Sequence, residues 1–200
     1  MLRLFRRLLR KREIYFHEDD YCQQQLLPRD AVVHVESEIR KIDDFADAHR
    51  APGGLGWTDM YVRKEAPVEL RALRIEKELL AQAVSPFLPP FDIVYTGYSS
   101  HREHCKQTAA WGRSERSALF ADWDEEGVIC NAWAEFFEDD EASIIAVTRA
   151  VAALGRLYPL VYVDWAWSYS CDAANEELFA STLRKKLKTI ADNAKSFKKR

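Results

Sequence analysis

Six consecutive residues, His17-Glu18-Asp19-Asp20-Tyr21-Cys22, bring together an imidazole, three carboxylates and a thiol. These are the donors used to hold Zn²⁺ or to move protons. Their spacing works against both uses. Successive side chains of an extended segment point to opposite faces, so only an i, i+2 pair converges. The run lacks the glycine and distal glutamate of an EF-hand loop and the paired spacing of a zinc site. A charged turn joining extended runs 13–17 and 21–26 into a hairpin accounts for the same residues.

The second candidate is His101-x-x-His104-Cys105. On a helix the two histidines share a face and bind zinc, with Cys105 or Cys22 completing the set. The motif has neither the glutamate nor the i, i+4 spacing of HExxH, and a polar surface loop is the simpler expectation. Arg102 and His104 beside Cys105 would lower its thiol pKa, yet a Cys–His dyad is assembled in space, not along the chain. There is no GxSxG elbow, no SxxK and no kinase-type set, and the glycines of 51–56 lack the GK[ST] ending of a phosphate loop. Glu135, Glu138 and Asp139 offer acid–base pairs, as any acidic protein does. No catalytic residue, metal site or cofactor is assigned. Metal-dependent hydrolysis through His101, His104 and Cys105 remains one alternative.

Charge carries more information than any motif. Residues 1–12 hold six basic groups and no acid, and residues 184–200 hold eight basic groups against Asp192 alone. The body between, 13–183, is left with 15 basic and 31 acidic groups, a net of −16 within a chain whose total is −3. Such a body repels nucleic acid and attracts basic partners at rates that salt weakens. Two acidic clusters, Asp122/Asp124/Glu125/Glu126 and Glu138/Asp139/Asp140/Glu141, are the expected contact surface. Trp123 and Trp133 flank the first cluster, and aromatics beside carboxylates suit an arginine- or lysine-rich partner.

The basic start reads as an amphipathic helix, with Leu2, Leu4, Phe5, Leu8 and Leu9 opposite Arg3, Arg6, Arg7 and Arg10. It packs its leucines on the domain or lies on an anionic membrane surface. The arginines interrupt any signal-peptide core, and no apolar run reaches the ~20 residues of a membrane span. Four scattered cysteines without a CxxC pair fit a reducing cytoplasm.

The elements that must position these groups alternate in type. Asp30 is placed to cap a helix to about His49, with Val32, Val35, Ile39, Ile42 and Phe45 on its buried face. Residues 58–63 and 91–98 read as strands, and 68–84 as a helix ended by prolines. Runs 118–123 and 128–136 form the clearest hairpin, turning at Asp124–Gly127. A helix over 142–157, a strand over 160–164 and a long helix from Asp172 complete the chain. Trp165 and Trp167 share a face if that strand continues. The fold class is α+β: one domain, 13–183, with a mostly antiparallel sheet of five to seven strands, helices packed on it, an amphipathic N-terminal segment 1–12 and a basic helical end 184–200.

The phrases EIYFHEDDYCQ, TGYSSHREHC and VDWAWS resemble segments of bacterial immunity proteins from polymorphic or contact-dependent toxin systems. That resemblance implies a cytoplasmic, non-catalytic protein that blocks a toxin domain, and it carries no functional residue across. A net of −16 suits an inhibitor that must cover a basic cleft. The basic termini support a different alternative, a peripheral adaptor at an anionic membrane surface through Arg3, Arg6, Arg7 and Arg10.

Overall fold

The segment expected to be a hairpin is instead the crossing point between two sheets. The computed structural model describes residues 11–53, 56–66, 68–97, 101–138 and 140–197. The helix expected to carry Arg3, Arg6, Arg7 and Arg10 lies outside the described residues. Strand β1 (Glu13–Tyr15) pairs in parallel with β3 (Ile93–Thr96), and β4 (Glu103–His104) adds to β3 antiparallel. Strand β2 (Gln24–Pro28) belongs to a second sheet, between β7 (Ile129–Phe136) and β8 (Leu160–Asp164). The reason lies in burial. Leu26 and Leu27 point to opposite faces and both are buried, so β2 must be central and covered on two sides. Residues Glu18–Asp20 form a single 3₁₀ turn between the sheets, capped by His17, whose Nδ1 accepts the Asp19 N–H. Cys22 follows at φ 56° and redirects the chain.

The main sheet has six antiparallel strands in the order β5-β6-β7-β2-β8-β9, with β5 at Thr108–Ser114, β6 at Ser117–Trp123 and β9 at Tyr169–Asp172. Six falls within the five to seven expected, and the three-stranded sheet is additional. The β6–β7 hairpin forms as read. Asp124 Oδ1 accepts the N–H groups of Glu126 and Val128, and Gly127 supplies φ 79°. Among the described residues there are four α-helices: α1 (Val32–Ala48), α2 (Lys77–Val84), α3 (Glu141–Leu157) and α4 (Glu176–Phe197). None is long and apolar enough to cross a membrane.

Three buried clusters follow from these layers. Helices α2, α3 and α4 cover one face of the main sheet through Leu80, Val147, Val151, Leu154, Phe179 and Leu183. Helix α1 covers the β2–β8 region of the other face through Val35, against Leu27, Val161 and Val163. The small sheet packs Ile14 and Val94 on Phe120 and Trp133, whose rings stack 5.3 Å apart. Each such side chain removes apolar surface worth roughly 1.5–3 kcal/mol.

Several expectations are corrected. Residues 58–63 pair with no strand. The helix over 68–84 is broken, with a 3₁₀ turn at Leu70–Leu73, Arg74 at φ 48° and then α2. Asp30 caps nothing; it lies inside a 3₁₀ turn, and Ala31 precedes α1. After Asp164 the chain makes a 3₁₀ turn, so Trp165 is buried while Trp167 is exposed. Asp172 ends β9, and α4 begins only at Glu176. The basic end of the chain starts as part of the fold: Leu187 is in the core, and Lys186 forms a buried ion pair with Asp164.

Candidate functional site

The hairpin separates the two acidic clusters. Asp122 pairs with Asn131 at one end of the β6–β7 ladder and Ser117 with Phe136 at the other. At about 3.4 Å per residue the clusters sit on the order of 20 Å apart. Most of these acids also have structural work. Asp122 accepts from Tyr21 Oη at 2.9 Å and from Asn131, and burial raises its pKa. Asp124 holds the turn and forms an ion pair with Arg71 at 2.7 Å. Glu126 meets Arg74 at 3.6 Å. At the far end Glu138 accepts from Ser114 Oγ and Ser143 Oγ, Asp140 caps α3 through the Ser143 N–H, and Glu141 pairs with Arg184. Glu125 is exposed, and Asp139 lies outside the described residues.

The helix that would place His101 and His104 on one face does not form. His104 sits in β4, both rings are exposed, and a three-residue offset in an extended chain points them apart. Burial and then Glu103 raise the Cys105 thiol pKa, the opposite of activation. Cys22 is pushed up to about 12, chiefly by burial. Among the described residues no group of three His, Cys, Asp or Glu side chains could hold a metal ion.

A surface that the sequence did not mark stands out instead. Residues 57–66 cross α1 as a strap, with exposure alternating along Met60–Lys64 as in an extended chain. Its inward residues are anchored. Tyr61 Oη donates to Glu38 Oε2 at 3.0 Å and the Lys64 N–H to the same oxygen at 3.3 Å, while Lys41 holds Oε1. These donors, Lys41 first, keep the fully buried Glu38 carboxyl at about 2 despite its desolvation. Arg63 donates to the Cys22 carbonyl and lies over the Trp165 ring at 4.4 Å. Thr58 N–H reaches the His49 carbonyl and closes the turn after α1.

The outward residues of this anchored strap include three large apolar side chains beside Thr58, Asp59, Lys64 and Glu65. Trp57 is 61% exposed, Met60 80% and Val62 81%. Val33 on the neighbouring α1 is also exposed, as are the acids Glu36, Asp43, Asp44, Asp47, Asp59 and Glu65 and the cations Arg40, Lys41, Arg50 and Lys64, of which Arg50 pairs with Asp47 and Lys41 with Glu38. A groove of about 800 Å³ runs beneath it, lined by Tyr21, Gln25, Asn131 and Trp165 among others. Large apolar side chains held outward by a fixed backbone, with carboxylates around them, make a protein-binding surface of mixed character. Alternation at 60–63 is the only sequence signal for it, and that signal equally describes a strand.

No family model, curated protein or solved structure matches the chain.

Proposed function

We propose that this is a non-catalytic binding protein that neutralises a basic protein partner, in the manner of an immunity protein occluding a toxin domain, and that the strap with α1 is its contact face. The observation that carries the reading is the outward presentation of Trp57, Met60 and Val62 on a strap whose inward side is clamped by Glu38 and Trp165. Tryptophan is a typical energetic centre of an interface and methionine is enriched at interfaces, while the carboxylates of α1 and the strap outnumber the cations there and favour a basic partner. Pre-anchoring lowers the ordering cost on binding. The four free thiols suit a cytoplasmic site of action.

The hairpin-end acids are a secondary surface in this reading, because Asp124, Glu126 and Glu141 are paired with Arg71, Arg74 and Arg184, and Asp122, Glu138 and Asp140 are engaged in hydrogen bonds within the chain. Affinity capture from the native host, eluted stepwise with salt and identified by mass spectrometry, tests the proposal. A single basic toxin domain, whose toxicity is suppressed by co-expression of this chain, supports it. A co-purifying acidic protein, or toxicity unchanged by co-expression, overturns it.

A further inference from the structure

Arginines elsewhere on the body mostly meet carboxylates: Arg71, Arg74, Arg149, Arg156 and Arg184 each form an ion pair. The groove between the small sheet and the β5–β6 turn is different. It encloses about 810 Å³ and is lined by five cations and three carboxylates, an excess of positive charge on an otherwise acidic body. Arg12 is committed to the fold, donating to the carbonyls of Pro90 and Gly112 and lying over Phe91. The other four, Lys11, Arg102, Arg113 and Arg116, are exposed and make no carboxylate contact within 4 Å among the described residues, although Arg113 lies near enough to Asp140 to help lower its pKa. Arg102 rests 5.5 Å over the Tyr15 ring, and Arg116 makes a long 3.4 Å contact to the Phe137 carbonyl. Of the carboxylates, Glu138 is already held by two serine hydroxyls.

The floor has its own chemistry. Tyr15 and Tyr95 are direct partners in the parallel β1–β3 pair, and both line the groove. Ile14 and Val94, the preceding residues, are buried on the opposite face. The two tyrosines therefore share the groove face of the small sheet, Tyr15 beneath Arg102 and Tyr95 with its ring tilted against His104 at 5.9 Å.

We infer that this groove binds a phosphate-bearing small molecule of nucleotide size, with Arg102, Arg113, Arg116 and Lys11 on the phosphates and the tyrosine pair against a planar ring. Guanidinium forks match phosphate oxygens, and a pocket of this volume suits such a ligand. A single carboxylate would leave part of this net excess of two positive charges uncancelled, whereas a phosphate group cancels it. The groove shares no residue with the strap, so its failure would leave the interface reading untouched.

Calorimetric titration of the full chain with ADP, pyrophosphate and adenosine at low salt tests the assignment. ADP and pyrophosphate should bind and adenosine should not. Tyr95→Leu should weaken ADP about tenfold while leaving pyrophosphate nearly unchanged. The double variant Arg102→Glu/Arg113→Glu should weaken both by at least about tenfold, and Arg113→Gln alone by less. Arg40→Glu, a reversal on α1, should change neither. Absence of binding by both phosphates, or equal binding by the double variant, overturns the assignment. So does binding only to phosphatidylserine vesicles in a sedimentation assay, which would make the groove a lipid-headgroup contact.

Discussion

Glu135 should make this protein less stable as pH rises. The side chain sits on β7, on the same face as Trp133, and is only 7% exposed. Its Oε1 is buried without a hydrogen-bond partner among the described residues. Burial, with Asp20 and Glu115 nearby, raises its pKa from 4.5 to about 8. An acid with a raised folded-state pKa binds its proton more tightly when folded. Stability is therefore unaffected below about 4.5, falls between 4.5 and 8 as the unfolded chain alone releases its proton, and is constant above. The full shift is equivalent to about 5 kcal/mol with a rigid surround, and to about 2 kcal/mol once the surround relaxes around the charge. Glu135→Gln removes this titration while keeping shape. Urea unfolding of both proteins across pH 4–9 should give nearly equal stabilities at pH 4, with the variant gaining by about 2 kcal/mol or more at pH 9. A constant offset across that range, or a variant weaker at pH 9, would refute the reasoning, because either requires a carboxylate that is solvated or paired.

Glu38→Gln should loosen the strap clamp by about 2 kcal/mol, the worth of charge-assisted hydrogen bonds, and hydrogen exchange should quicken at 57–66 while α3 is unchanged. Because the Glu38 pKa is depressed to about 2, its contribution is present above about 4.5 and is lost as pH falls towards 2; the variant should lack that acid-limb loss in an unfolding titration. Lys186→Met should cost about 3–5 kcal/mol by leaving the Asp164 carboxylate buried and unpaired, and adding Asp164→Asn should restore much of it in chemical denaturation. Gly155→Ala should lower the melting temperature, although alanine is normally better by about 1 kcal/mol within a helix. Its Cβ would stand 2.4 Å from the Ala174 nitrogen.

What the sequence made legible was local. The β6–β7 hairpin is legible in the apolar runs on either side of Asp124–Gly127, and α3 in the helical run after the acids 138–141, whereas the Asp140 cap is seen only in the fold. The pairing of β1 with Ile93–Tyr95 joins segments eighty residues apart, and no neighbouring residue signals it. A hairpin over 13–26 was the nearer answer, yet consecutive burial of Leu26 and Leu27 already pointed to a strand covered on both faces. Strand β5, TAAWGRS, carries little strand signal because alanine and glycine have low strand propensity. Gly112 is there because a Cβ would meet the Ser117 carbonyl at 2.4 Å. The acidic clusters were visible as composition, but their neutralisation by Arg71, Arg74 and Arg184 is tertiary. Residues 58–63 have the pattern of a strand but pair with none among the described residues, which leaves Met60 and Val62 exposed.

In the proposed binding mode the strap is the contact face. The most direct test is the affinity of the captured partner for the wild-type chain, for Trp57→Ser/Met60→Ser/Val62→Ser, and for Glu125→Lys/Glu126→Lys, all checked for intact folding by circular dichroism. The account predicts at least a hundredfold loss for the strap variant, about 3 kcal/mol as expected for a truncated interface centre, and less than tenfold for the hairpin variant. Full affinity in the strap variant, with binding lost in the hairpin variant, would contradict it.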